Sequence, residues 1–303
     1  MTVNPLNVLI TGANTGIGFE TARALAKGGN HVTLACRNET AAKIAVETIK
    51  KEIQNEEVVV TFIQIDLSDL QSVKKCANDI INSKYVFDII ILNAGTMLPE
   101  NIVTRDGFET TFQVNYLAQY LLLNMILDSD YMNTKQVKVV CLTSILYKLC
   151  GNFFTLPTTF LKWRKFSHNS LVSETETSIK STKYRKWNYY AASKAAAAML
   201  AYNLNQRDNI SAVSVHPGCV RTAMTYNISP KTEKGLKIFK RYLISAEEAA
   251  NNVVLAIEDL DRSKNHSKMY RSEKKSKKLD RKIRKKENWE ALKEYSDRML
   301  ASP

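Results

Sequence analysis

Short unbroken apolar runs alternate along this chain with longer stretches in which apolar residues recur every three or four positions. The runs fall at residues 7–11, 31–35, 58–66, 88–92, 137–143 and 210–216, and each predicts a β-strand. The helical stretches fall at 17–27, stopped by Gly28-Gly29, then at 39–52, 70–82, 107–127 and 190–205. Strands that are apolar throughout, rather than every second residue, are buried on both faces. Helices between them imply right-handed crossovers, and so a parallel sheet covered on both sides. The expected fold is therefore α/β, a doubly wound parallel sheet of Rossmann type. Its ligand crevice lies at the carboxyl ends of the strands.

Two segments break the alternation. One is a long insert at 145–187, before the last predicted helix; the other is the stretch after Arg262. The second carries most of the net charge of +13: between Arg262 and Glu287, thirteen Lys/Arg stand against three Asp/Glu. That balance argues against a basic groove through the fold and for a basic appendage on a near-neutral domain. Residues 1–261 are accordingly read as one nucleotide-binding domain and 262–303 as a basic, helix-compatible tail. Trp289, Leu292, Tyr295, Ser296 and Met299 follow helical spacing and predict a final amphipathic helix that docks.

Composition adds mainly exclusions. A chain of 303 residues, 45% hydrophobic, buries a sizeable core without disulfides or metals. Cys36, Cys76, Cys141, Cys150 and Cys219 contain no CxxC pair, and only four His are present, so no metal site is expected. Residues 1–5 lack a signal pattern, and the most apolar helical run, 116–127, is too short for a bilayer. The expectation is a cytoplasmic protein of a reducing compartment, with membrane-surface association left open.

The chemistry begins at the first turn, Thr11-Gly12-Ala13-Asn14-Thr15-Gly16-Ile17-Gly18, placed between a strand and a helix. Glycines let the backbone approach a ligand, and the helix N-terminus beyond offers N–H groups and partial positive charge to a pyrophosphate. The second strand ends in Ala35-Cys36-Arg37-Asn38 with no acid in place. In such folds an acid there binds a ribose 2′-hydroxyl, whereas an Arg accommodates a 2′-phosphate, so Arg37 favours NADP(H) over NAD.

At the other end, Tyr190 and Lys194 stand four apart in YAASKAAAAML, a strong helix former, and share one helix face. A free Tyr titrates near 10, and a neighbouring ammonium can lower that by roughly one to three units. The pair is thereby suited to general acid–base work on a substrate oxygen. Ser144 closes the fifth strand, where a hydroxyl can steady developing charge, with Thr143 as its competitor. Asn115, polar within FQVNYLAQYLL, points to a buried polar role. His216 reads as a packed strand-end residue.

These motifs, in this order, resemble the short-chain dehydrogenases/reductases of the classical type over about residues 7–256. The shared elements are TGANTGIG at 11–18, Asp66-Leu67, Asn93-Ala94-Gly95, Asn115, Ser144, Tyr190 with Lys194, and Pro217-Gly218 with Thr222. GFETARALA, LACRN and FQVNYLAQYLL are similar to the retinol dehydrogenase and WW-domain oxidoreductase branch. The resemblance implies that Asp66 contacts adenine, that Asn93–Gly95 backs the cofactor and that Thr222 touches the carboxamide. It favours Ser144 over Thr143, gives Lys194 a hydrogen bond to the nicotinamide ribose, and has Asn115 hold a water linking Lys194 to solvent.

The chain departs from the pattern in one region. Forty-six positions separate Ser144 from Tyr190, far more than the family's usual dozen, and no Gly follows three after Ser144. The insert carries Phe153, Phe154, Phe160, Trp163 and Phe166 among Lys162, Arg164 and Lys165, which suggests a lid over an apolar substrate or contact with a membrane surface. The expected activity is hydride transfer between NADP(H) and the carbonyl or alcohol of a small apolar or lipid-like molecule. A cofactor-binding scaffold is the alternative; a nucleotide-sugar epimerase, which shares the YxxxK pair, has a different Gly spacing. Homo-oligomers and peripheral membrane contact through insert or tail stay open, and nucleic acid is not favoured.

Overall fold

The structure is a computed structural model and describes residues 4–53, 55–97, 99–149, 183–220, 243–262, 268–271 and 275–301. Its elements follow in the order β1 (Asn7–Thr11), α1 (Gly16–Lys27), β2 (His31–Cys36), α2 (Glu39–Glu52), β3 (Val60–Gln64), α3 (Leu70–Ser83) and β4 (Ile89–Leu92). There follow α4 (Thr110–Phe112), a π-helical turn (Gln113–Leu117), α5 (Ala118–Leu127), β5 (Val137–Leu142), α6 (Leu146–Leu149), α7 (Lys183–Leu204) and β6 (Ile210–His216). The last are α8 (Ala246–Arg262), β7 (Lys268–Arg271), β8 (Lys275–Lys278) and α9 (Lys286–Ala301).

The sheet order is β3-β2-β1-β4-β5-β6-β7-β8, parallel through β7. This is the doubly wound arrangement expected from the apolar runs. The central strands show why: all four residues of β4 are buried, as are Val8, Leu9, Ile10 and Thr11 of β1. Alternate residues feed two cores. Leu9, Ile90, Val139 and Cys141 meet the side formed by α3, α5, α7 and α9. Val8, Ile10, Ile91 and Val140 meet the side that holds buried residues of α1, α2 and α8. Local signals set the helix starts, since Asn38 Oδ1 caps Ala41 N at 2.9 Å and Asp69 Oδ1 caps Gln71 N at 3.0 Å.

Three differences from the sequence reading have physical causes. The basic stretch after Arg262 contains β7 and an antiparallel β8 rather than continuous helix, because pairing with β6 satisfies backbone that helix propensity alone had claimed. The predicted helix over 107–127 starts at Thr110 and widens into the π-turn around Asn115. Helix α8 had not been anticipated; its Ala249, Val253, Ala256 and Ile257 are buried.

The final helix docks as its spacing predicted. Leu292, Tyr295, Ser296 and Met299 are buried, Tyr116 Oη and Ser296 Oγ lie 3.0 Å apart, and Tyr120 Oη donates to Asp297 Oδ1 at 2.8 Å. Each such large apolar side chain contributes about 1.5–3 kcal/mol by leaving water. Among the described residues no helix is long and apolar enough to cross a membrane.

Candidate active site

All the predicted site residues that the structure describes gather at the carboxyl ends of β1 to β6, except those borne by the π-turn and α7, which reach the same end from the side. The Gly-rich turn leaves β1 with Gly12 at φ +64°, a left-handed conformation that side chains resist. Thr15, the N-cap of α1, makes no side-chain cap bond, and the first turn of α1 contains no acid. The N–H groups of Gly16, Ile17 and Gly18 are thus not covered by a capping side chain, which fits an anionic pyrophosphate. Gly18 packs so closely on Asn93 that a Cβ there would collide with Asn93 Nδ2. These features fit a dinucleotide, and Gly12, Asn14, Thr15, Gly16, Ile17 and Gly18 are the residues that would hold its phosphates.

Cys36, at the end of β2, is buried. Its thiol also receives hydrogen bonds from the backbone of Ala13 and Asn14, while burial pushes it up to about 11. It therefore underpins the turn. Arg37 follows it, exposed, at the end of β2, and the nearby Glu39 is paired with Lys43 at 2.7 Å. Asp66 follows β3; its Oδ1 accepts from Ser68 N at 2.8 Å and Ser68 Oγ at 2.6 Å, a local turn that fixes its direction. Leu67 beside it is buried, and its carbonyl accepts from Gln113 Nε2 at 3.3 Å.

Asn93, Ala94 and Gly95 follow β4 and are bound to the Gly-rich turn. Asn93 Nδ2 donates to Thr11 O (2.8 Å) and Gly12 O (3.1 Å), and Thr11 Oγ1 accepts from Asn93 N and Ala94 N, both at 3.0 Å. Gln119, whose Oε1 accepts from Thr11 Oγ1 at 2.9 Å, is a neighbour that motif spacing alone did not single out. The available signal was the run FQVNYLAQYLL, whose second glutamine stands four residues after Asn115.

Tyr190 and Lys194 lie on α7 and are buried, 8% and 5% exposed. The helix begins at Lys183, seven residues before Tyr190, because KYRKWN lacks the apolar spacing that would have announced it. Lys194 Nζ donates to Leu142 O at 3.0 Å and sits 5.9 Å from the ring centre of Tyr190. Thr143 Oγ1 donates to Lys194 O at 2.7 Å, which occupies this hydroxyl inside the protein and leaves Ser144 for the crevice. Ser144 lies near the Tyr190 hydroxyl and acts to lower its proton affinity.

The expected direction of the phenol shift is reversed in this geometry. Burial pushes Tyr190 up to about 12, Ser144 pulls it back and the nearby Cys219 thiol raises it further. The ammonium that was expected to lower it is itself driven down to about 8 by burial, against a raising effect of Cys141. Removing a charge from water dominates both groups here.

Asn115 completes the cluster. Its Oδ1 accepts from Thr96 N (2.7 Å), and its Nδ2 donates to Thr96 O and Ser193 Oγ, both at 3.0 Å. Ser193 Oγ donates in turn to Tyr190 O at 2.8 Å. A methyl group on Gly95 would lie 3.3 Å from both Asn115 Oδ1 and Lys194 Nζ, so these two groups converge above that glycine. Pro217 is buried and Gly218, at φ +108°, follows β6; His216 ends that strand half-buried. Thr222 and most of the insert, with its aromatic and basic residues, lie outside the described residues.

A doubly wound sheet with a Gly-rich phosphate turn and a Ser, Tyr, Lys and Asn cluster defines a short-chain dehydrogenase/reductase. Residues 6–153 match the family model described as short chain dehydrogenase, and the chain belongs to that family. It is 32% identical over 226 residues to retinol dehydrogenase 13 of Mus musculus, covering 74% of this chain and 61% of that protein. To the WW domain-containing oxidoreductase of Drosophila melanogaster it is 36% identical over 214 residues, 69% of this chain and 48% of that one. The chain thus spans less than two thirds of the length of these relatives. The short-chain dehydrogenase from Sphingobium yanoikuyae in complex with NADPH superposes with a TM-score of 0.62 at 16% identity, over 99% of this chain and 96% of that one. That likeness bears on the fold.

Proposed function

We propose that this protein is an NADP(H)-dependent oxidoreductase acting on a carbonyl or alcohol group of a small apolar or lipid-like molecule. The observation that carries the reading is the buried Tyr190 side chain, one helical turn from Lys194 and at the strand end that carries Ser144, beside the turns that suit a dinucleotide. Bound nicotinamide supplies or accepts the hydride.

The chain's own residues handle the oxygen. A phenol held near 12 is protonated at neutral pH and can give its proton to a carbonyl oxygen that is becoming an alkoxide, a still stronger base. Ser144 donates to the same oxygen and steadies its charge. Lys194, held near 8, can replace that proton near physiological pH, and Asn115 keeps Lys194 and the Thr96 backbone in register. Arg37 supports a 2′-phosphate, and Asp66, Leu67, Asn93, Ala94, Gly95, Pro217, Gly218 and Thr222 are assigned to the cofactor. The similarity to retinol dehydrogenases supports an apolar substrate.

Tyr190→Phe tests this reading. With NADPH and a panel of retinal, steroid ketones and quinones, turnover is expected to fall by about 10²–10⁴-fold while NADPH still binds. Wild-type protein that binds NADPH without turning over any of the panel would favour a cofactor-binding scaffold instead.

A further inference from the structure

Gln119 is a buried amide, 2% exposed, lying where the Gly-rich turn, the Asn93–Gly95 turn and the π-turn meet. Its Oε1 accepts the Thr11 hydroxyl proton at 2.9 Å. Its Nε2 lies 3.0 Å from Ala94 O, 3.0 Å from Asn115 O and 3.3 Å from Val114 O. In the π-turn Ala118 N donates to Gln113 O, five residues back, so Val114 O loses its ordinary partner four residues on. The Gln119 amide covers that carbonyl and the next.

We infer that Gln119 is a positioning residue that couples the Gly-rich turn to Asn115 and, across Gly95, to Lys194. The inference rests on the reading above, in which these are the dinucleotide and proton-transfer ends of one site. The physical need is specific. Thr11 Oγ1 already accepts from Asn93 N and Ala94 N, so its one proton requires an acceptor, for which Gln119 Oε1 at 2.9 Å is nearer than Ile91 O at 3.4 Å, and the π-turn carbonyls require donors. An amide offers both at one position; a carboxylate lacks the donors and a thioether of the same length offers neither usefully. Any shift of Thr11 when the neighbouring turn closes on phosphates is passed through this side chain to the backbone that holds Asn115.

The test uses hydrogen exchange on the full chain, with and without NADPH, in wild type, Gln119→Met and Thr11→Val. In wild type, NADPH is expected to slow exchange of the amides at 113–119 as well as 12–18. In Gln119→Met the slowing at 12–18 stays while that at 113–119 falls by at least about threefold, and the pH profile of turnover shifts with kcat reduced more than NADPH affinity. Thr11→Val, which removes the hydroxyl link to Gln119 together with the acceptor of Asn93 N and Ala94 N, gives the same loss at 113–119 and decides the matter should Gln119→Met not fold.

Equal slowing at 113–119 in wild type and both variants overturns the coupling even where NADPH binds and turns over. A wild type without turnover sinks the enzymatic reading, and the exchange pattern still decides the coupling. A wild type that binds no NADPH leaves the decision to the free protein. There Gln119→Met must quicken exchange at 12–18 and 113–119 together, and quickening at one alone overturns the inference.

Discussion

The ammonium of Lys194 donates to the main-chain carbonyl of Leu142 at 3.0 Å, and no further than 5.9 Å away lies the ring centre of Tyr190. The charge is therefore anchored on backbone at the end of β5, and burial rather than mutual attraction sets the proton affinities of both groups. Lys194 becomes easier to deprotonate and Tyr190 harder. That combination favours a proton donor of neutral form backed by an amine able to exchange protons near pH 8.

The stability of the ligand-free protein should record this. Lys194 falls from 10.5 to about 8, so between these values the unfolded chain holds more protons at this site than the folded one. Unfolding free energy must then rise with pH across that window, as the cost of burying the ammonium disappears, by up to about 3 kcal/mol. Tyr190 acts oppositely and later, its contribution being present below 10 and lost as pH rises toward about 12. Urea unfolding of Lys194→Met and wild type isolates the first effect. The stability of the variant minus that of wild type is expected to shrink between about pH 8 and about pH 10; a pH-independent difference contradicts the burial argument.

Much of this arrangement was legible in the sequence because it depends on local pattern. Apolar runs announced β1 to β6, and helix α2 and strand β6 fall where their spacing put them. The candidate site was legible as far as motif residues at strand ends go. Gln119 and Ser193 were not, since their partners Thr11 and Asn115 lie 108 and 78 residues away in the chain. The phenol shift was misjudged for a related reason: spacing tells that two charges share a helix face but not that both are sealed from water. Likewise, the basic stretch after Arg262 reads as a helix-compatible tail, and only the open edge of β6 explains why part of it pairs as β7.

Close packing behind the phosphate turn leads to a second expectation. A methyl at Gly18 would strike Asn93 Nδ2, the donor to Thr11 O and Gly12 O, and would approach Ala13 Cα to 2.9 Å. Gly18→Ala must therefore shift the turn itself. NADPH affinity, read by fluorescence titration, is expected to fall by about tenfold or more, equivalent to about 1.4 kcal/mol. Gly28→Ala is the control: its φ is −77° and its nearest neighbour would be 3.3 Å away, so binding should not change.

Cofactor preference turns on one side chain. Arg37 is exposed at the end of β2, and Glu39, the nearest acid in sequence, is held by Lys43. A charged guanidinium–phosphate contact contributes about 1.5–3 kcal/mol. Arg37→Ala should weaken NADPH by about 10–100-fold and leave NADH nearly unchanged. Parallel titrations of the two cofactors measure it, and an equal loss for both would assign Arg37 a structural role.

The last helix decides whether the C-terminal stretch is an appendage or part of the fold. Tyr295 is 1% exposed and meets Phe112 edge-on with ring centres 6.2 Å apart, while its neighbour Ser296 pairs with Tyr116 inside the π-turn. Residues so placed behave as core, and replacing a large aromatic by Ala there costs about 3–5 kcal/mol. Lys282 and Lys285, a few residues earlier, are exposed, and their replacement should change stability by less than about 0.5 kcal/mol. Thermal unfolding of Tyr295→Ala against Lys282→Ala with Lys285→Ala separates the cases. A single cooperative transition moved strongly down by Tyr295→Ala alone means that α9 folds with the sheet. An unmoved midpoint would mean that the helix rests on α5 without stabilising it, and that the charge upstream is carried by a detachable arm.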